Sequence, residues 1–382
     1  MEEWKEYKLE EVCSRLRSGK GIKSDCISNI GLFPVIGGNG MRGYTNKSNF
    51  KGECAVIGRQ GANCGNVRFF MGEAYMTEHA VVAVGNELAD SYFLARLLSL
   101  MHLGNLSAQS AQPGLSIQTL SKQIIRLPSI SYQREISTVL KSLDDKIELN
   151  RRINDNLEQQ AQALFKSWFV DFEPFKDRKF VDSELGMIPE GWRVEELGNI
   201  TNSITEKAGN RTDVKVLSPV NTGELLLSEE YFTKQVYSKN LAKYIMVAPN
   251  DFSYNPARIN IGSIGMNTFD FRGCVSPVYV VFRCEKGYHH FFNIFKTTKN
   301  FKEEVNTRAI GGVRQTLSYK DFSLIKIVYP PKEVVEQFNK IYSHIMTLIK
   351  KNILENKRLH QTRDILLPKL MSGELKINDI NN

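Results

Sequence analysis

The 382-residue sequence contains few cysteines and no long apolar run. Its six cysteines include no C-x-x-C pair, which argues against a disulfide scaffold or a zinc site and favours reduced thiols in a cytosol. No apolar segment reaches the roughly 18 residues that a membrane span needs. The N-terminal residues Met-Glu-Glu-Trp-Lys-Glu are charged and polar, so we expect no signal peptide there. We therefore expect a cytoplasmic protein. Its length is sufficient for two to three domains, each with its own hydrophobic core.

The motifs that hold nucleotides, metals or catalytic groups are also missing. No G-x-x-x-x-G-K-[ST] is present, and the six histidines lack the spacing of metal ligands. Gly38-x-Gly40-x-x-Gly43 matches a dinucleotide fingerprint, but turn-like residues follow where a helix is needed, so we predict a glycine-rich turn. Asn255-Pro256-Ala-Arg lacks the second proline and the aromatic residue of an amino-methyltransferase motif. We predict no catalytic centre, no metal and no cofactor in this chain.

The chain does contain an internal repeat. Residues 128–169 and 330–370 align without a gap after a shift of 202 positions. The segments that begin at Trp4 and Trp192 share a weaker sequence similarity, a second echo of the repeat. Each half is thus predicted to be a globule followed by a long helix, and such pseudo-symmetric proteins tend to bind pseudo-symmetric partners.

Both predicted helices carry a seam in which apolar or special positions recur in alternating steps of three and four. This is the a/d pattern of a coiled coil. Each helix has about 40 residues and a length of roughly 60 Å, and the two most simply bury their seams against each other in an antiparallel pair. The seam residues are Leu140, Leu143, Ile147, Asn150, Asn154, Leu157, Tyr342, Ile345, Ile349, Asn352, Asn356 and Leu359.

Four of these seam residues are asparagines, which cost stability when buried unless their amides are paired. In an antiparallel pair, Asn150 would face Asn356 and Asn154 would face Asn352. Alternatively, these amides face solvent where the apolar stripe is interrupted.

The fold class is predicted as α+β, with two mixed α/β globules and two long helices related by a pseudo-two-fold axis. Both globules consist of short strands separated by Gly, Asn and Ser, with one further helix each, near residues 91–103 and 289–304. The last ten residues are expected to fray. The predicted boundaries are a first globule at 1–129, a helix at 130–170, a linker at 171–190, a second globule at 191–329, a helix at 330–371 and a C-terminal tail at 372–382.

The loops and the charge favour DNA. The formal net charge is +8 and the sequence pI is about 9.0. Glycine-rich segments in both halves concentrate Arg, Asn and Gln, which read guanine and adenine edges with paired hydrogen bonds. The alternative is that these segments are ordinary polar surface loops. The candidate DNA-contacting residues are Arg59, Gln60, Asn63, Asn66, Arg68, Gln109, Gln112, Asn255, Arg258, Asn260, Arg308, Arg314 and Gln315.

Several stretches make the chain resemble the specificity subunit of a type I restriction-modification system. They are Trp168-Phe-Val-Asp-Phe-Glu-Pro-Phe, Gly186-Met-Ile-Pro-Glu-Gly-Trp-Arg-Val-Glu-Glu-Leu-Gly and Leu367-Pro-Lys-Leu-Met-Ser-Gly-Glu-Leu. In addition, Gly58-Arg-Gln-Gly and Gln315-Thr-Leu-Ser resemble loops of the target-recognition domains of that family. The resemblance implies two target-recognition domains, each reading half of a split asymmetric double-stranded DNA site. It implies that the long helices act as a spacer and as the docking surface for two methyltransferase subunits, which bind S-adenosylmethionine. Restriction/translocase subunits that use ATP and Mg would join this complex.

The resemblance also implies a non-catalytic subunit in a prokaryotic cytoplasm, associated with the nucleoid. Antiparallel helices would hold the globules apart by roughly one turn of DNA. Two alternatives stay open at this point. One is a specificity subunit of a related phage-defence methylation system, and the other is a coiled-coil scaffold whose globules bind protein.

Overall fold

The computed structural model describes residues 3–107, 114–211, 213–309 and 316–380. The chain divides into two compact units, one formed by Met1–Arg152 with Asn352–Asn382 and the other by Ile153–Lys351. Both long helices cross this division, so each unit consists of a globule and one half of each helix. The predicted α+β fold class with two long helices is confirmed.

The strands of the first unit are β1 (Lys5–Lys8), β2 (Cys13–Ser18), β3 (Phe33–Gly37), β4 (Gly40–Thr45), β5 (Phe50–Gly58), β6 (Val67–Met76), β7 (Ala80–Gly85) and β8 (Ile124–Leu127). Those of the second are β9 (Phe180–Val181), β10 (Ile188–Pro189), β11 (Arg193–Glu196), β12 (Thr201–Ser203), β13 (Leu217–Pro219), β14 (Leu225–Leu227), β15 (Ile245–Val247), β16 (Phe252–Tyr254), β17 (Ile264–Met266), β18 (Gly273–Val275), β19 (Val280–Cys284) and β20 (Lys326–Tyr329). The helices are α1 (Ser91–Leu100), α2 (Ile117–Ser121), α3 (Ile130–Phe169), α4 (Leu197–Ile200), α5 (Ser228–Tyr231), α6 (His289–Phe295), α7 (Lys299–Arg308), α8 (Tyr319–Phe322), α9 (Lys332–Ser372) and α10 (Ile377–Ile380).

A two-stranded antiparallel ribbon precedes each long helix and repeats between the units. In the first unit β1 pairs with β8, and in the second β11 pairs with β20. The main-chain N–H of Leu9 donates to Gln123, as that of Leu197 donates to Ile325. This ribbon contains the weaker sequence echo that begins at Trp4 and Trp192, so the echo reflects a shared local structure.

The sheets of the two units differ more than their ribbons. The first unit has a six-stranded sheet in the order β2-β7-β5-β6-β3-β4, mostly antiparallel, with β3 and β6 parallel. The second has a four-stranded sheet, β12-β19-β16-β17, and two separate pairs, β13-β14 and β15-β18. The helix predicted near residues 289–304 is in fact two helices, because Thr298 caps a new helix by accepting the N–H of Phe301.

The segment between α3 and β11 packs onto the core of the second unit. Phe175 and Ile188 are buried there, and the Phe175 ring meets the Trp192 ring edge-on with centroids 5.1 Å apart. The short β9–β10 hairpin closes the segment. This polar, proline-containing stretch is therefore ordered by a few aromatic anchors.

The long helices run antiparallel within each unit. In the first unit, Asp144 and Asn150 of α3 form hydrogen bonds with Arg363 and Asn356 of α9. A later residue of α3 thus contacts an earlier residue of α9, as antiparallel helices require. In the second unit, Asn154 and Phe165 of α3 meet Ile349 and Phe338 of α9 in the same sense. Every seam residue named from the sequence is buried or half-buried.

The C-terminal tail does not fray within the described residues, contrary to expectation. Ile377 in α10 is buried in the core of the first unit. Its main-chain N–H lies 3.3 Å from the hydroxyl of Tyr132, to which it donates. An apolar residue at the right distance after α9 thus anchors the tail.

Candidate nucleic-acid interface

Five of the predicted DNA-contacting residues lie in residues 58–68, which comprise the end of β5, the connection to β6 and the first two residues of β6; we call this segment the 58–68 loop. A short 3₁₀ turn, Gly61–Asn63, shapes the loop, and the N–H of Gly58 donates to the carbonyl of Asn66 at 2.8 Å. The side-chain amide of Asn66 donates to that of Asn63 at 3.0 Å. The N–H of Leu115 donates to the carbonyl of Arg59 at 2.9 Å. The loop is therefore held from within and by a later segment, which limits the directions in which its side chains can point.

The loop between β16 and β17, residues 254–263, repeats this arrangement in the second unit. It also contains a 3₁₀ turn, Ile259–Ile261, and the N–H of Asn255 donates to the carbonyl of Ser263 at 3.0 Å. The N–H of Leu317 donates to the carbonyl of Pro256 at 3.1 Å. Leu317 is the residue 202 positions after Leu115, so the two loops are held by equivalent positions of the repeat.

The side chains of the two loops leave positive charge and amide groups at the surface. Gln60, Asn66 and Arg68 are exposed in the 58–68 loop, and Arg258 and Asn260 are exposed in the 254–263 loop. Neither loop contains an acidic residue. Among the described residues, no carboxylate forms an ion pair with Arg68 or Arg258. Unpaired guanidinium groups on a rigid, glycine-rich loop suit the edges of bases and the phosphates beside them.

The β3–β4 hairpin lies against the 58–68 loop. The G-x-G-x-x-G segment begins with the predicted turn, at residues 38–39, but Gly40 and Gly43 lie in β4, and no helix follows directly. A Cβ on Gly40, whose φ is +105°, would lie 2.1 Å from Nη1 of Arg68. The glycine therefore makes room for the guanidinium, and exposed Asn39, Met41 and Arg42 lie beside it. The G-x-G-x-x-G spacing in the sequence therefore marks the place where Arg68 approaches the main chain closely, and not a phosphate-binding loop.

The remaining predicted residues have different positions. Arg308 ends α7 and donates from Nε to Glu304 at 3.0 Å, so part of its guanidinium is already engaged. The side-chain oxygen of Asn255 accepts the N–H of Ala257 at 3.0 Å, which leaves its NH₂ group for other partners. Gln109, Gln112, Arg314 and Gln315 lie outside the described residues.

The cysteines near the 58–68 loop carry no catalytic character. Burial raises the pKa of Cys54 to about 12, and burial also raises the pKa of Cys64. Both thiols therefore stay protonated near neutral pH, whereas a nucleophilic cysteine needs a lowered pKa. Within the parts of the chain that the structure describes, no cluster of three His, Cys, Asp or Glu residues could hold a metal ion. No helix there is long and apolar enough to cross a membrane.

The chain is similar to type I restriction-modification specificity subunits both in sequence and in structure. Residues 1–159 match the family described as the type I restriction modification DNA specificity domain. The type I restriction enzyme MjaIX specificity subunit of Methanocaldococcus jannaschii is 30% identical over 305 residues, which cover 73% of this chain and 67% of that protein. The HindI specificity subunit of Haemophilus influenzae is 26% identical over 329 residues, covering 69% and 71%.

The fold has a counterpart among solved structures. The crystal structure of the S subunit of a type I restriction-modification system from M. genitalium matches with a TM-score of 0.64 and 15% identity, over 97% of this chain and 96% of that one. At that identity the match supports the fold, whereas the MjaIX subunit shares sequence over two thirds of its length. The repeated loops therefore sit in a chain that belongs to the family of type I restriction-modification specificity subunits.

Proposed function

We propose that this chain recognises a bipartite, asymmetric DNA site and directs methyltransferase and restriction subunits to it. As a specificity subunit it belongs to a non-catalytic family. The observation that carries the proposal is the repetition of one loop arrangement in both units, with main-chain donors at Leu115 and Leu317 that are 202 residues apart. Two equivalent loops on one chain suit two half-sites on one DNA molecule.

The side chains on the two loops differ although their main-chain arrangement is shared. The 58–68 loop carries two arginines, a glutamine and two asparagines, whereas the 254–263 loop carries one arginine and two asparagines. Because direct readout depends on the donor and acceptor pattern of each side chain, the two half-sites should have different sequences. An asymmetric target follows, rather than a palindrome.

The helices supply the second part of the proposed function. Their seam buries one face of α3 against one face of α9, while apolar residues on other faces remain in solvent. Leu149 is 49% exposed and Ile353 is 58% exposed. Exposed apolar residues on long helices suit helical partners. We assign this surface to two methyltransferase subunits, with S-adenosylmethionine, ATP and Mg bound by partner subunits.

The proposal can be tested by sequencing the methylome of a host that carries this gene and its partner methyltransferase. Replacing residues 3–127 with the corresponding globule of another specificity subunit should change one half of the methylated motif and leave the other half intact. A reciprocal exchange of residues 193–329 should change only the other half. Both exchanges keep α3 and α9, so the seam is preserved.

Three results would contradict the proposal. A single continuous or palindromic motif would exclude asymmetric bipartite recognition. An exchange of one globule that altered both halves would exclude independent reading by the two units. Absence of any DNA binding by the assembled complex would favour a protein-binding scaffold.

A further inference from the structure

A polar cleft of about 370 Å³ opens beside the 58–68 loop in the first unit. It lies between that loop and the turn that follows α1. Its polar lining consists of Asn66, Arg68, Ser99, His102 and Asn105. Among the described residues, no Asp or Glu and no Phe, Tyr or Trp lines it. The cleft therefore presents hydrogen-bond donors and positive charge without a stacking surface.

Two glycines bring the walls of the cleft together. Gly65 has a φ of +82°, and a Cβ on it would lie 2.0 Å from the main-chain nitrogen of Gly104. A Cβ on Gly104 would in turn lie 2.8 Å from the main-chain oxygen of Cys64. The loop and the turn thus touch through their main chains, and a larger residue at either glycine would force them apart.

His102 adopts a backbone conformation that ordinarily favours glycine. It follows the end of α1 with φ 48° and ψ 48°, at a position where helices commonly place glycine. Its carbonyl accepts the N–H of Asn105 at 2.9 Å, a bond that glycine would also allow. Among the described residues, no side-chain hydrogen bond or ion pair of His102 accounts for the histidine. A side chain held in a strained conformation at the mouth of a polar cleft points to a ligand.

The chemistry of the cleft favours phosphate over a base. Arg, Asn and Ser side chains are common donors to DNA phosphates, and a histidine ring N–H can donate in the same way. An extruded base is instead usually held between aromatic or apolar side chains. We propose that this cleft holds one phosphate of the DNA backbone, with His102 and Asn105 as contact residues. The inference rests on the proposed function, because it places the phosphate beside the base pairs that the 58–68 loop would read.

The test uses the full chain assembled with its methyltransferase. Dissociation constants are measured by equilibrium titration against a duplex that contains the methylated motif and against a duplex with both half-sites scrambled. His102→Gly and Asn105→Ala should each weaken binding to both duplexes by the same factor, about tenfold for a lost hydrogen bond to a charged group. His102→Gly keeps the turn, since glycine adopts this φ freely, so its melting temperature should not fall below wild type.

The outcomes separate the inference from the proposed function. Wild-type affinity in both variants would overturn the phosphate site. A loss confined to the motif duplex would also overturn it, because the cleft would then read a base. Asn202→Ala, which removes an exposed amide on β12 of the second unit, should leave both affinities unchanged. A wild-type complex that bound both duplexes equally would refute selective recognition, while the variants would still test the cleft.

Discussion

Asn150 donates a hydrogen bond from Nδ2 to Oδ1 of Asn356 at 2.9 Å, inside the seam of the two long helices. The same nitrogen donates to Glu355 at 2.9 Å, and Asn356 donates to the main-chain oxygen of Ile147 at 3.2 Å. Asn150 is 1% exposed. A buried amide that pairs with an amide on the facing helix favours one register over its neighbours. This pair therefore sets the register of α3 and α9 within the first unit.

Asn150→Leu should lower the free energy of unfolding by about 1–3 kcal/mol, because it leaves buried acceptors without a donor. The double variant with Asn356→Leu should recover part of that loss, since both seam amides are then gone. Equilibrium denaturation of the four proteins in the cycle measures the coupling. Leucine at all four seam asparagines, including Asn154 and Asn352, should change the register or the oligomeric state. Strictly additive single variants, or unchanged assembly of the fourfold variant, would contradict this role.

Asp144 forms a second polar link within the first unit. Its carboxylate accepts from Arg363 at 2.9 Å and from the hydroxyl of Tyr92 at 2.6 Å, and it also pairs with Arg96. The positions 202 residues away from Asp144 and Arg363 are Met346 and Ala161. The second unit therefore has apolar residues where the first has an ion pair.

Asp144→Ala should destabilise the protein by about 2–4 kcal/mol, because it removes the carboxylate that pairs with partly buried Arg96 and leaves Arg363 with only the exposed carboxylate of Asp364. The triple variant Asp144→Met, Arg363→Ala, Arg96→Leu should be much less destabilised, because no charged group of the cluster is left without a partner. Met and Ala are the residues at the equivalent positions of the second unit. Chemical denaturation gives both values. A triple variant that is less stable than Asp144→Ala would show that the ion pairs themselves stabilise the unit.

Arg68→Ala should relax selectivity in one half-site and Arg258→Ala in the other, by about 1–3 kcal/mol at the base pair concerned. Each arginine lies on the loop of its own unit, so the two variants control for each other. Methylation rates on duplexes with single base-pair changes measure the effect. Arg178→Ala, an exposed arginine outside both loops, should leave selectivity unchanged. A variant that altered both half-sites would argue against independent reading.

His290 should make the second unit sensitive to acid. Burial, reinforced by nearby His289 and Lys350, lowers the pKa of His290 to about 4. The unfolded chain takes up this proton near pH 6.5 but the folded chain does not, so the stability contribution is lost as pH falls from about 6.5 to 4. His290→Phe, which keeps a ring beside Tyr342, should flatten this part of the pH profile of stability. An unchanged slope in His290→Phe would contradict this role.

Inserting seven residues after Arg152 and seven after Lys351 should lengthen the unspecified spacer of the DNA site. Seven helical residues add about 10 Å, which corresponds to about three base pairs. Both half-sites should remain unchanged because neither globule is altered. Methylome sequencing provides the readout, and insertion into one helix alone is the control, because it breaks the seam register. A change in the recognised bases would contradict the spacer role of the helices.

Much of the fold could be predicted because it follows from local sequence patterns or from the internal repeat. Alternating steps of three and four define α3 and α9, and the 202-residue shift relates their seams. Antiparallel pairing then places Asn150 opposite Asn356 without further information. The strands β3, β5 and β7 follow from short apolar runs between turn residues.

Other features depended on contacts that no local pattern encodes. The break in the helix predicted near residues 289–304 is an exception, because it has a local cause: Thr298 caps a new helix by accepting the N–H of Phe301. The tail is ordered because Ile377 reaches a core built from the other end of the sequence. Local composition indicates that a segment is polar or proline-rich, but its packing partner decides whether it is ordered.

The sequence by itself determined the two-part organisation, the helices, the basic loops and the family resemblance, because periodicity and repetition are visible in the order of the residues. Only the tertiary structure decided which segments surround the loops. Gly40 beside Arg68, and Gly65 beside Gly104, are contacts between residues 28 and 39 positions apart. Such contacts arise when segments that are distant in the sequence meet in the folded chain, and a glycine of a cofactor-like motif here makes room for a guanidinium group.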